Sequence, residues 1–155
     1  MAMDRRQWVI RGVIGEIYKH AIDEYPHECC GIVTGDADHQ TVHRCRNVQN
    51  ELHLQDPDRY PRDARTAYTI DRREAERIYA TAREKGEAIL AFYHSHIDCD
   101  AYFSETDVAA QTVFGEPEFP DAIHIVVSVV KGEVRGVRCY KWDKDRRDFI
   151  TLDCM

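Results

Sequence analysis

Ala88-Ile89-Leu90-Ala91-Phe92-Tyr93-His94-Ser95-His96, followed after seven residues by Ser104-Glu105-Thr106-Asp107, is the stretch that decides the fold. The apolar run 88–93 reads as a buried strand, which puts His94 and His96 at a strand end. Residues i and i+2 of an extended backbone face the same side, so both imidazoles reach one point. Ser104-x-x-Asp107 opens a helix that carries a carboxylate back toward that strand end. Taken singly, these pieces are ordinary. Ser-x-x-Asp is a variant of the capping box, and a His-x-His pair at a strand end is commonly polar surface. Taken together, two neutral imidazoles and a carboxylate eleven positions on form a three-ligand set of the kind that holds a catalytic zinc, with the fourth tetrahedral position left for water.

Upstream, Val13, Ile14, Ile17, Tyr18, Ala21 and Ile22 recur at helical spacing, so residues 11–24 form an amphipathic helix that ends before Pro26. Cys30 to Thr34 is a short strand, turned by Gly35-Asp36-Ala37-Asp38 into a second, Thr41 to Val48. From Gln49 to Thr66 the chain is polar, carries Pro57 and Pro61, and lacks clean periodicity. It is either a functional loop lining a groove or a disordered excursion. Asp71 with Glu74 marks a helix start and Gly86 its end, with Ala75, Ile78, Tyr79 and Ala82 as the buried stripe. The motif helix covers about 104–114, and 115–120 is a surface loop. Ala122 to Val130 is too apolar for an edge strand and is central. Strands at Val134 to Trp142 and Asp148 to Leu152 complete an α/β domain, a mixed sheet flanked by helices.

The spacing His94-x-His96, seven residues, Ser104, two residues, Asp107 resembles the zinc motif of the JAMM metalloproteases, the catalytic branch of the MPN (Mov34/PAD-1) domains. Tyr25-Pro26-His27-Glu28-Cys29-Cys30-Gly31 supplies Glu28 where that family carries a glutamate just before a Cys-Gly pair in a first strand. Tyr68-Thr69-Ile70-Asp71 and Ile123-His124-Ile125-Val126-Val127-Ser128 also look like the family, so the likeness runs from about residue 12 to residue 142. It departs where members often carry proline around the motif loop and this chain has Ile97 and Phe103. The resemblance implies a single-domain MPN fold over residues 1–155, related in layout to the cytidine deaminases. It also implies a role for each motif residue. His94, His96 and Asp107 bind Zn2+, Glu28 moves protons between water and the departing amine, and Ser104 donates to the oxyanion. Small stand-alone members of the family cleave after the Gly-Gly terminus of ubiquitin-like or sulfur-carrier proteins, which implies such a partner here. The alternative within the family is a non-catalytic MPN scaffold module; such modules usually lack one or more metal ligands, and here all are present. A zinc nucleobase deaminase would need His-x-Glu and Pro-Cys-x-x-Cys, which the chain lacks.

Composition agrees with these expectations. At 155 residues, with 43% hydrophobic and 32% charged residues, the chain has ordinary soluble-globular usage and enough length for one core. No apolar run approaches a membrane span and the N-terminus lacks a signal-peptide core, so the default compartment is the cytoplasm. A net charge of −7 argues against nucleic acid as the main partner. The six cysteines are irregularly spaced and read as reduced thiols. Cys99, three residues after His96, is a competing metal ligand ranked below Asp107. His124, on an apolar strand, reads as a core histidine, and Ser95 should point away from the two histidines.

Overall fold

A computed structural model describes residues 5–153. The chain opens with α1 (Arg5–Glu24) and folds a hairpin from β1 (Cys30–Gly35) and β2 (Gln40–Cys45). Two helices follow, α2 (Gln49–Gln55) and α3 (Arg72–Glu84), before β3 (Ala88–Ile97). Next come α4 (Glu105–Gln111) and a small hairpin of β4 (Thr112–Val113) and β5 (Glu116–Pro117). The chain returns as β6 (Ile123–Val130), β7 (Glu133–Asp143) and β8 (Asp148–Leu152). Six strands make one sheet in the order β2-β1-β3-β6-β7-β8. Among the described strands only β3 and β6 pair in parallel, so the sheet is mixed, and β6 is central, as its buried and mostly apolar sequence requires.

Strand periodicity sorts the two faces. Ala91 and Tyr93 pack with Ile10, Val13, Ile17 and Ala21 of α1 and with Val33, Ile125 and Val127. Phe92 faces the other way, onto Ala75, Ile78 and Tyr79 of α3 and onto Phe119. Because the period is two, His94 and His96 continue the face of Phe92, and Ser95 continues that of Tyr93. Gly31 lies opposite Tyr93 in the register, and a Cβ there would meet the Tyr93 ring at 2.2 Å. That close approach explains glycine in the first strand. It also sends the Tyr93 hydroxyl to His20 Nδ1 at 2.6 Å, in the interior of the α1 layer.

Several expectations need correction. The Gln49–Thr66 stretch is neither disordered nor a plain loop. Its first half is α2, and polar bonds rather than an apolar stripe hold the rest. Asn47 Oδ1 accepts from the Gln49 N–H and Asn50 Oδ1 from the Ala64 N–H, while the Gln49 amide donates to the Arg62 carbonyl. The second strand stops at Cys45, because Asn47 and Val48 turn the chain into α2. β3 ends at Ile97, one residue past His96, so both histidines sit at its end as expected, while the expected 115–120 loop is partly the β4–β5 hairpin. The first helix starts earlier than expected, at Arg5. Cys29, Cys30, Cys45 and Cys99 are free thiols, but Cys139 is disulfide-bonded; spacing along the chain says nothing about which thiols meet in space. Cys154 falls outside the described residues. Among the described residues no helix is long and apolar enough to cross a membrane.

Two buried histidines make stability depend on pH. Burial, with the charge of Arg44, pushes the His20 pKa down to about 4 against the opposing charge of Asp23, and burial with the charge of His94 pushes His124 to about 3. An unfolded histidine takes its proton near ~6.5, so the unfolded chain binds more protons between that value and each folded pKa. Stability is therefore full above about pH 6.5 and declines as pH falls toward 4 and then 3. The urea midpoint should drop between pH 7 and 5, and His20→Gln should shallow that drop. An unchanged slope in His20→Gln would remove His20 from the account.

Candidate metal centre

The register of β1 against β3 sets Cys30 beside His94, which places Glu28, just before β1, next to the histidines. Glu28 is locked through its backbone. Its N–H donates to the Ala64 carbonyl at 2.7 Å and its carbonyl accepts from the Asn47 amide at 2.9 Å. Ser95 points away, as expected, and its hydroxyl oxygen accepts from the Cys29 N–H at 2.8 Å, clamping the two strands together. Asp107 arrives on α4. Ser104 is the N-cap, its Oγ accepting from the Asp107 N–H at 3.0 Å while its own N–H donates to Asp107 Oδ2 at 2.9 Å. That reciprocal pair is a capping box, and it aims the carboxylate.

The three motif side chains meet. His94 Nε2 lies 3.2 Å from Asp107 Oδ1, His96 Nε2 lies 3.2 Å from Asp107 Oδ2, and the two Nε2 atoms are 3.3 Å apart. Glu28, His94 and His96 also bring one ligand atom each within 4.8 Å of one another, and all three are buried. Glu28 Oε1 is buried without a hydrogen-bond partner. His96 Nδ1 sits 2.8 Å from the Asp100 carbonyl oxygen, which can only accept, so Nδ1 carries the ring proton. That leaves Nε2 as the ring atom turned toward the Asp107 carboxylate. Two imidazole nitrogens and carboxylates drawn together out of water suit a divalent metal. The donor set therefore fits a metal ion.

Electrostatics fit the same picture. Burial first, then the charge of Asp107, pushes the Glu28 carboxyl up to about 9, with Arg62 opposing. Burial alone would raise Asp107 too, yet its contacts with the His94 and His96 rings and the bond from the Ser104 N–H hold it well below the usual carboxylate range. Burial lowers the His94 pKa, which favours the neutral, metal-binding imidazole. Cys99 is exposed and outside the converging group. His124 is a core histidine, packed against Phe92, Phe103 and Phe149.

Tyr68 is the site residue that sequence reasoning missed. Its ring stacks on His94 with centroids 4.4 Å apart, and its hydroxyl accepts from Gln111 at 3.0 Å. No spacing rule ties residue 68 to residue 94; only the packing of the segment after α2 against β3 does. The motif loop, where Ile97 and Phe103 replace the family's prolines, is held by other means. Ser128 and Tyr140 donate to the Cys99 and Ala101 carbonyls, and Phe103 packs on Tyr140 and Phe149. Tyr102, half exposed, meets His96 edge-on at 4.7 Å. A cleft of about 290 Å³ runs between segment 59–69 and α4, with Arg59, Tyr60, Arg62, Tyr68 and Thr106 in its walls.

A family model described as prokaryotic homologs of the JAB domain matches residues 11–142. A CysO-cysteine peptidase of Mycobacterium tuberculosis is 27% identical over 134 residues, which cover 86% of this chain and 81% of that protein. A desampylase of Haloferax volcanii is 30% identical over 95 residues, covering 61% of this chain and 62% of that one. Among solved structures, a protein from Desulfitobacterium hafniense superposes with a TM-score of 0.64 at 19% identity, over 92% of this chain and 87% of its own, and so shares the fold.

Two outcomes follow from this geometry. Purified protein should bind one divalent metal per chain, and the double variant His94→Ala/His96→Ala should lose it; equal metal content in both would refute the site. Ser104→Ala removes the cap and should cost about 0.5–2 kcal/mol in thermal or chemical unfolding. No loss there would mean that the capping box contributes nothing to α4.

Proposed function

The chain belongs to the family of prokaryotic homologs of the JAB domain, and on that premise we propose that it is a zinc-dependent peptidase or isopeptidase. Its substrate is a ubiquitin-like or sulfur-carrier protein, cut directly after a C-terminal Gly-Gly. The observation that carries this reading is the meeting of His94, His96 and Asp107 at 3.2 Å beside the unpartnered Glu28 oxygen. The names of the relatives, a CysO-cysteine peptidase and a desampylase, support the substrate class.

His94, His96 and Asp107 would hold the zinc, leaving Glu28 as the proton carrier. Zinc bound there supplies Lewis acidity and lowers the pKa of water toward ~7. Glu28 accepts a proton from the attacking water and delivers it to the departing amine. The water oxygen joins the glycine carbonyl carbon, the C–N bond breaks, and the products are a carboxylate-terminated carrier and a free amine. Ser104 serves this step without giving up its cap. Its oxygen accepts from the Asp107 N–H, so its single hydroxyl proton remains to donate to the oxyanion that develops on the scissile carbonyl. The tail lies in the cleft between segment 59–69 and α4, with Tyr68 and Thr106 in its walls. A non-catalytic scaffold would have no use for a complete ligand set with an orphaned carboxylate beside it.

Zinc-loaded protein incubated with a small carrier extended past Gly-Gly should release the extension, read by intact mass. Replacing the last glycine by valine should block it, and equal cleavage of casein would leave only a general peptidase. Glu28→Gln should keep zinc and fold while turnover falls about 10²–10⁴-fold. Turnover within a small factor of the parent would demote Glu28 to an ordinary buried carboxylate.

A further inference from the structure

The two motif histidines are held by different means. The Asp100 carbonyl fixes the His96 ring, whereas the His94 ring lies against two aromatic side chains. Tyr68 stacks on it at 4.4 Å and 24°, and Phe103 stands farther off at 6.4 Å and 50°. A ring lying flat on a second ring cannot swing about its Cβ–Cγ bond without lifting away from it, so Tyr68 sets the plane in which His94 Nε2 points. Tyr68 also touches the other ligand-bearing element. Its hydroxyl accepts from the Gln111 amide at 3.0 Å, and Gln111 is the last residue of α4, one turn after Asp107 and on the same face.

Two open spaces border that phenol, the tail cleft of about 290 Å³ and a cavity of about 190 Å³ lined by Ala75, Tyr79 and Phe92. With space on those sides, the bond to Gln111 is what keeps the outer end of the ring in place. The inner end has a polar footing in Asn47. Its amide donates to the Ala67 carbonyl and its Oδ1 accepts from the Thr69 N–H, so the residues on either side of Tyr68 are pinned. The same amide donates to the Glu28 carbonyl at 2.9 Å. One asparagine thus fixes the backbone of both Glu28 and Tyr68.

We propose that Tyr68 is a positioning residue of the metal centre, a brace that stands on Asn47, backs the His94 ring and ties down Gln111, so that β3 and α4 keep the spacing at which His94 and Asp107 share one ion. The proposal rests on the metal centre of the peptidase reading and not on its substrate. α4 has only seven residues, too few to be stable on their own hydrogen bonds, so its two ends need outside anchors. Ser104 caps the first end and Tyr68 holds the last. Without the second anchor Asp107 keeps its cap but loses its fixed distance from His94. The stack and the bond therefore make separable contributions, one to the angle of a histidine and the other to the place of a carboxylate.

Zinc dissociation constants of the full chain, measured by competition with a chelator, test this in four variants. Tyr68→Phe keeps the stack and deletes the bond, and Gln111→Met deletes the same bond from the other side. Each should weaken zinc binding about 10-fold, and the double variant no more than either, because both remove one interaction. Tyr68→Leu also removes the stack and should lose up to about 100-fold. Melting of the metal-free proteins separates positioning from folding; should Tyr68→Leu not fold, the Phe and Met variants and their double carry the test. With Co2+ in place of zinc, the visible spectrum of Tyr68→Phe should keep the parent's band positions while that of Tyr68→Leu shifts, since only there is the His94 ring free to turn. Affinities within about twofold of the parent in the folded variants, or losses that add in the double variant, would overturn the brace while the ligand set stands. A parent that binds no zinc would sink the metal centre and the brace together. Zinc bound by the parent and weakened as expected in the variants, with no cleavage of a Gly-Gly carrier, would uphold the brace and sink the peptidase reading.

Discussion

His94 Nε2, His96 Nε2 and the Asp107 carboxylate approach one another to 3.2 to 3.3 Å at side chains no more than about 5% exposed. Two imidazole nitrogens and a carboxylate drawn together out of water are a donor set that a divalent cation holds. The rest of the structure serves that constraint. The Asp100 carbonyl fixes the His96 tautomer, Tyr68 lies flat on His94, and the capping box turns Asp107 inward. Glu28 remains the one buried oxygen among the described side chains with no partner, and a group left in that state belongs to chemistry rather than to packing.

The sheet supplies the geometry. β3 sits between antiparallel β1 and parallel β6, so three strands converge where the histidines emerge near its carboxyl end. Its alternation assigns Tyr93 and Ser95 to the α1 layer and leaves Phe92, His94 and His96 on the other face. Tyr93 over Gly31 and Ser95 on the Cys29 N–H bind β3 to β1, and that bond line is what delivers Glu28. α4 is a short helix that begins at the Ser104 cap. A looser cap would move Asp107 and Ser104 together, coupling stability to chemistry in one motif.

Much of this was legible in the chain because the informative features are local. The His94-x-His96 spacing works on any extended backbone, Ser104 and Asp107 declare a helix start, and Asp71 does the same for α3, where its side chain accepts from the Glu74 N–H. The apolar run of β6 announces a central strand. What stayed hidden is non-local or polar. α2 carries no apolar stripe and is held by Asn47, Gln49 and Asn50, whose partners lie up to 22 residues away. Tyr68 joins the site only through tertiary packing. The β4–β5 hairpin is two residues a side, below what alternation can signal. The Cys139 disulfide escaped for a similar reason, since cysteine pairing is a matter of space and not of spacing.

Glu28 and Asp107 both offer a carboxylate to the histidine pair. The division of labour proposed here gives the metal to Asp107 and the proton to Glu28. A crystal structure of the zinc-loaded protein, with the metal located by its anomalous scattering, tests that most directly. The account predicts zinc bonded to His94 Nε2, His96 Nε2 and an Asp107 oxygen, with Glu28 outside bonding distance. Zinc bonded to Glu28 in place of Asp107, or held by Cys99, would contradict it.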